Sequence, residues 1–299
     1  MGCFQSRWGH TDRGALRGRR GHKLQICIAL AGLKAQPLRI VRFVQDQKKS
    51  SYGILASDSE IVPIVGDIFS KWKRARRRLK LENVRLLAPC QPPNILAIGL
   101  NYRAHALEGG HAIPSSPMLF IKASTALTGP GQPIIIPSVA PNEVDYEAEL
   151  VVVIGKGCRN VSEDHALNYV LGYTCGNDVS ARDCQRQSLV RGKSFDTFAP
   201  LGPWIETKLD PGSCAISSRL NGEIMQNSNT SDLIFNVQQL ISYLSKSMTL
   251  LPGTAIMTGT PSGVGIARKP SVFLKVDDVV EVEIAGIGTL RNPVLKETT

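Results

Sequence analysis

From residue 38 onward the chain sets apolar against polar positions in short bursts. LRIVRFV, SYGILA and EIVPIV are rich in β-branched residues, partly alternating and separated by polar turns, which predicts three short strands. The basic run KWKRARRRLK, residues 71–80, follows and is predicted as a helix. Pro89 and the pair Pro92-Pro93 then break any regular element and mark a rigid boundary. Beyond it, NILAIGLNY reads as a strand ending at Gly99, and RAHALEGG as a short helix stopped by Gly109 and Gly110. On that helix His105 and Glu108 stand three positions apart and share a face.

MLFIKAS, PIIIP and AELVVVIG continue the strand pattern, each bounded by Gly or Pro. SEDHALNYVLG is predicted as a helix capped by Ser162. DLIFNVQQLISYLSKSM places Leu233, Ile234, Val237, Leu240, Ile241 and Leu244 on one helical stripe after a cap at Asp232. TAIMTGT, VVEVEIAG and IGTLRNPVL return to strands. The sum is a β-rich α+β protein with few helices, not the regular strand and helix alternation of a doubly wound sheet. Its predicted parts are an N-terminal extension over 1–37, a small strand-rich subdomain over 38–88 and a catalytic domain over 89–299.

Charge changes the picture less than its total suggests. The formal charge is +10, but residues 1–38 hold seven Lys or Arg against one Asp, and residues 71–80 hold seven more with no acid. With those set aside from totals of 35 and 25, the body carries 21 basic and 24 acidic residues. That balance argues against a nucleic-acid-binding body, and the 71–80 run reads as a solvated connector in preference to a site for phosphate or anionic lipid. Seven scattered Cys without a C-x-x-C pair argue against a disulfide framework or a thiolate zinc site, and fit a reducing compartment. The longest apolar runs span about ten residues, as at 24–33, against roughly twenty for a bilayer-crossing helix, so no transmembrane segment is expected. The opening MGCFQS fits N-myristoylation at Gly2 with a second acyl site at Cys3; the Arg-rich, acid-poor extension also fits mitochondrial targeting or a disordered tail.

The chemistry concentrates where Asp145, Glu147 and Glu149 run straight into an apolar strand. A period of two puts all three carboxylates on one face, stable when solvated, partly protonated or neutralised by a cation. On that pattern a solvated edge strand and a hard-metal site are equally consistent. Downstream, GNDVSARDCQ supplies Asp178, Arg182, Asp183 and Gln185, and GKSFDTFAPLGPW supplies Lys193. Each has a bland reading as well. His105 alone suits a surface or structural role, Lys193 a solvated loop charge, and Arg182 with Asp183 a structural ion pair; His111, His165 and the Cys residues suggest no chemistry.

Taken in order, GLNYRAHALE, VDYEAELVVVIGK, GNDVSARDCQ, GKSFDTFAPLGPW, RLNGEIMQNSNT, GTAIMTGTPSGVG and RKPSVFLKVDD resemble the fumarylacetoacetate hydrolase superfamily over about residues 38–299, and most its domain-containing-protein-2 branch. The resemblance implies the family's β-roll catalytic domain and a homodimer. It implies Glu147, Glu149 and Asp178 as ligands of Mg²⁺, or of Mn²⁺ or Ca²⁺. His105 and Glu108 match the family's water-activating pair. Lys193 and Gln185 match pocket residues that stabilise an enolate or carboxylate, Arg182 lies beside them as a substrate contact, and Thr260 matches a contact to the substrate carboxylate. The founding hydrolase has a further Asp ligand before its His; here Ile98, Gly99, Leu100 and Asn101 occupy that stretch, which favours the three-carboxylate subgroup and argues against fumarylacetoacetate itself.

The resemblance thus implies an enzyme on a small 2-oxo-acid held by the metal in its enolate form. Acylpyruvate hydrolysis, oxaloacetate decarboxylation and oxaloacetate keto–enol tautomerisation are the three exits, in mitochondria or cytoplasm. A hydrolase or isomerase of a larger β-diketone, and an inactive interaction protein that keeps the fold, are the rivals.

Overall fold

The strand Ala148–Ile154 is buried along its whole length, and its alternation shows why. Leu150, Val152 and Ile154 enter one core, while Val151 and Val153 enter others. A strand covered on both faces reads as a continuous apolar run, as this one does. The same division separates Leu96 and Ile98 from Ile95 and Ala97 in the strand Ile95–Gly99.

A computed structural model describes residues 37–45 and 49–298 of the chain. The expectations for acylation at Gly2 and Cys3, targeting or a disordered tail fall on 1–36, outside the described residues.

The larger sheet has 13 strands among the described residues. Its path runs from Trp72–Arg74 through Glu60–Gly66, Ser51–Ser57 and Arg39–Val44 to Ala199–Glu206, then through Val170–Asn177, Ala148–Ile154, Ala255–Met257 and Ile95–Gly99 to the edge strand Met118–Lys122. The N-terminal strands are therefore one sheet with the rest, joined where Ile40 pairs with Ile205. A five-stranded sheet takes Ile134–Ile136, Gly288–Lys296, Val279–Ile284, Ala215–Leu220 and Glu223–Asn229. A two-stranded ladder joins Val144–Asp145 to Ser180–Ala181. The architecture is α+β and strand-rich, as expected.

The one long helix among the described residues, Val237–Ser247, lays Leu240, Ile241 and Leu244 on the core that holds Leu150, Val152 and Ile154. Each such fully buried aliphatic side chain stabilises by roughly 1.5–3 kcal/mol. No helix of the described residues is long and apolar enough to cross a membrane.

Three local expectations fail, each because tertiary pairing prevails over local pattern. Residues 71–80 are not helical: Trp72–Arg74 and Leu79–Lys80 pair with Glu60–Gly66, and Trp72 and Leu79 supply the apolar anchors. The helix after Ser162 lasts only over Glu163–Ala166 and a 3₁₀ turn, since Val170 onward joins the sheet beside Ala148–Ile154. Ser162 does not cap it through the backbone; its hydroxyl meets His165 Nδ1 at 3.0 Å. The long helix is capped by Asn236, not Asp232, in a reciprocal box with Gln239.

Candidate active site

Asp232 has another task. Its carboxylate accepts from Ala104 N at 3.0 Å, at the first turn of the helix Arg103–Glu108, whose own N-cap, Tyr102, offers no side-chain bond. Arg103 donates back to the carbonyls of Asp232 and Leu233 at 3.2 and 2.8 Å. A helix of six residues has too few internal bonds to hold itself, so these contacts set its place. On it His105 Nδ1 lies 3.2 Å from Glu108 Oε2, the shared face expected of i and i+3. Gly263 N–H donates to both oxygens of Glu108 at 2.9 and 3.1 Å, which fixes the carboxylate behind the imidazole.

The acidic strand behaves as expected at two positions and not at the third. Glu147, Glu149 and Asp178 are all buried, and each offers an oxygen within 4.8 Å of the others. Asp145 is turned away because the strand breaks after it: Val144–Asp145 pairs with Ser180–Ala181, whereas Ala148–Ile154 belongs to the large sheet. Asp145 accepts instead from Gly265 N at 2.7 Å, Ile266 N at 3.0 Å and Arg182 Nε at 2.9 Å. Arg182 makes no ion pair with Asp183; it bridges Asp145 and Glu147, at 2.7 Å to each. Asp183 accepts from the backbone N–H of Cys184.

Three cations, Arg182, Lys193 and Lys122, meet Asp145, Glu147 and Asp178. Lys193 Nζ donates to Asp178 Oδ2 at 2.6 Å and Glu147 Oε2 at 2.8 Å, and sits 5.4 Å from the centre of the Phe120 ring. Lys122, fully buried, donates to Asp178 Oδ1 and to Val179 O. Lys122 was not singled out by the sequence reading, although the alternation of MLFIK puts it on the inward face of Phe120.

The charges are unevenly matched. Burial works against ionisation of Glu147, but Lys193 and Arg182 outweigh it and hold its carboxyl well below the usual carboxylate range. For Lys193 burial likewise works against the charge, and Asp178 with Glu147 outweighs it, raising the pKa. Burial lowers that of Lys122, which Asp178 offsets only in part. Glu149 has no cation of its own. Its bond is to Gly259 N–H at 2.8 Å, and burial, with Asp178 and Glu147 nearby, pushes its pKa far up. Gly259 has φ +106°, and a Cβ there would lie 2.7 Å from Asn101 Cβ, so glycine is required for this approach. One uncompensated buried carboxylate beside two more oxygen donors is a site where a hard divalent cation fits.

A cavity of about 310 Å³ opens onto this cluster. His105, Glu147, Glu149, Asp178, Arg182, Gln185, Lys193 and Thr260 all line it, so the sequence-predicted residues converge. Glu108 does not line it and stands behind His105. His111 does line it, where no chemistry was expected. Gln185 Oε1 accepts from Arg182 at 2.9 Å; arginine only donates, so the amide nitrogen of Gln185 is the end left for a ligand. Leu100, Met118, Phe120, Leu189, Val264 and Ile266 complete apolar walls.

A buried acidic triad, a His–Glu pair and cations meet at one small cavity on a β-rich α+β fold, the arrangement of an enzyme site. The chain belongs to the fumarylacetoacetate hydrolase family: its residues 94–295 match the pattern described as "Fumarylacetoacetate (FAA) hydrolase C-terminal", and residues 38–89 match "Rv2993c-like, N-terminal". It is 48% identical over 252 residues to a fumarylacetoacetate hydrolase domain-containing protein 2 homolog of Dictyostelium discoideum, covering 79% of this chain and 80% of that one. It is 47% identical over 225 residues to a Xenopus laevis protein named oxaloacetate tautomerase fahd2, mitochondrial, covering 73% and 70%. Among solved structures, 5-carboxymethyl-2-hydroxymuconate delta-isomerase of Mycobacterium smegmatis superposes with a TM-score of 0.79 at 39% identity, over 87% of this chain and all of that one.

Proposed function

We propose that the protein is a divalent-metal-dependent enzyme of small 2-oxo-acids, and that its reaction is oxaloacetate keto–enol tautomerisation. The observation that carries the reading is the unmatched buried charge of the Glu147, Glu149 and Asp178 cluster at the floor of a small cavity. Those three residues would hold Mg²⁺, or Mn²⁺ or Ca²⁺ in its place. When bound, such a cation supplies Lewis-acid charge to the negative charge that develops on a keto oxygen.

The residues of the chain supply the rest. Lys193, whose pKa is held up, brings a second positive charge to the same floor, and Thr260 with the Gln185 amide offers donors for a carboxylate. Glu108 occupies Nδ1 of His105, which leaves Nε2 as the nitrogen free to exchange protons. In tautomerisation His105 takes a proton from the carbon beside the carbonyl, and a proton is returned at oxygen, with nothing gained or lost overall. At about 310 Å³ the cavity stands at the small end of ligand sites, which favours a four-carbon acid over a larger β-diketone. The name of the frog relative supports oxaloacetate and a mitochondrial location.

Acylpyruvate hydrolysis is the second reading, favoured by the His105–Glu108 pair, which is built to deprotonate water as readily as carbon. The homodimer belongs to the same proposal and is checked by light scattering on the purified chain. To test the reaction, the chain is given oxaloacetate, then a small acylpyruvate, with Mg²⁺ or chelator, following enol absorbance and pyruvate release together. Metal-dependent change of oxaloacetate enol without pyruvate is the expected result. Pyruvate from oxaloacetate would make it a decarboxylase, and pyruvate from acylpyruvate alone a hydrolase. Indifference to chelator would remove the metal from the reading.

A further inference from the structure

The strand Glu223–Asn229 breaks its own alternation. Against Ala215–Leu220 it pairs Gln226 with Ser218 but Ile224 with Arg219, so Met225 is an extra residue, a β-bulge. The neighbours Met225 and Gln226 consequently both turn inward, at 6% and 1% exposure, while Ile224 is 51% exposed. Gln226 then uses its whole hydrogen-bonding capacity. Its Oε1 accepts from Ala148 N and from Ser218 Oγ, each at 2.9 Å, and its Nε2 donates to Thr260 Oγ1 and to Pro261 O, each at 2.8 Å.

These partners leave the amide no freedom to flip. Ala148 N–H can only donate and Pro261 C=O can only accept, so oxygen must face the strand and nitrogen must face Thr260. Thr260 Oγ1 is therefore an acceptor toward Gln226, and its own proton finds no protein acceptor among the described residues, while the residue lines the cavity. We propose that Gln226 is a positioning residue that fixes Thr260 as a hydrogen-bond donor, so that this wall selects a ligand presenting an anionic oxygen. The same side chain holds Ala148, between Glu147 and Glu149, and thereby sets how far Thr260 stands from the carboxylate cluster. This rests on the proposed role of Thr260 as a contact to the substrate carboxylate.

The test is calorimetric titration of oxalate into the full chain with Mg²⁺, for the wild type, Gln226→Met, Thr260→Val and the double variant. Oxalate presents the planar pair of oxygens of a 2-oxo-acid enolate, and both substitutions are neutral, so the formal charge of the site is unchanged. In Gln226→Met the Pro261 carbonyl loses its donor and competes for the Thr260 proton. Oxalate binding is expected to weaken by about tenfold in each single variant, and by no more than about twofold further when Gln226→Met is added to Thr260→Val. Gln226→Leu serves the same cycle if Gln226→Met does not fold. Multiplying losses would show that Gln226 acts on the fold alone and overturn the proposal. So would a loss of Mg²⁺ affinity measured without oxalate, since Gln226 would then act through the carboxylates. A Thr260→Val chain that binds oxalate as the wild type does would instead remove Thr260 from the substrate site. Failure of the wild type to bind oxalate would overturn the functional reading itself.

Discussion

Glu149 shows most directly how function and stability oppose each other. Its raised pKa means that, between its ordinary value and its raised one, the folded protein binds more protons than the unfolded chain. Without metal, stability therefore falls as pH rises across that window. Glu147, held low, acts in the reverse sense: its contribution is present above the ordinary carboxylate value and is lost as pH falls through the lower one. Glu149→Gln keeps an acceptor for Gly259 N–H and removes the cost of either burying the ionised carboxylate or taking up a proton to neutralise it. We predict that it raises the metal-free protein's stability by on the order of 1–2 kcal/mol in denaturant titration while abolishing Mg²⁺ binding. In the wild type the raised pKa of Glu149 makes protons compete with Mg²⁺ for the site, so across that window the affinity should rise with pH and binding should release protons; calorimetry in buffers of different ionisation heat measures both, and pH-independent affinity would clear Glu149 as a ligand. His105→Ala should reduce turnover by roughly 10²–10⁴-fold with Mg²⁺ affinity kept, as loss of a general base does; loss of both together would make His105 a ligand or a structural residue.

At the scale of elements, two caps separate stability from catalysis. Asn236 and Gln239 cap the long helix Val237–Ser247, whose buried face packs on the main core, away from the cavity lining. Asn236→Ala is expected to cost about 1 kcal/mol of unfolding free energy and to leave kcat unchanged. Asp232 instead caps the short helix that carries His105 and Glu108. Asp232→Ala should lower kcat at saturating Mg²⁺ far more than its own cost of about 1 kcal/mol in stability would suggest, because it releases a proton-transferring group from its place. Equal effects of the two substitutions on kcat would refute this division. The sequence pattern marked both helices, yet it assigned Asp232 to the wrong one: a cap signal is read by proximity along the chain, and here the carboxylate reaches a helix that ends more than a hundred residues earlier.

For the molecule as a whole, the carboxylate cluster lies where the large sheet, the two-stranded ladder and the loop through Gly259 and Gly263 meet, so a cation there ties distant parts of the chain together. Mg²⁺ at a hundred times its dissociation constant should stabilise the fold by about 2.7 kcal/mol, and a chelator should lower the melting temperature accordingly; an unchanged melting temperature would argue against a metal bound by the native state alone. Much of this was legible in the chain itself. Alternating and continuous apolar runs announced the strands, i and i+3 spacing announced the His105–Glu108 pair, and period two announced that Glu147 and Glu149 would converge, because these relations are set by the local geometry of one backbone segment. What needed the tertiary structure was every relation between segments. Asp145 left the acidic face because its strand pairs elsewhere, Arg182 chose Asp145 and Glu147 over adjacent Asp183, and Trp72–Arg74 and Leu79–Lys80 became strands because Glu60–Gly66 offered partners. Lys122 and Gln226 went unseen for the same reason: a buried lysine is stabilised by a carboxylate 56 positions away, and a bulge that turns a glutamine inward has no signature until its partner strand sets the register.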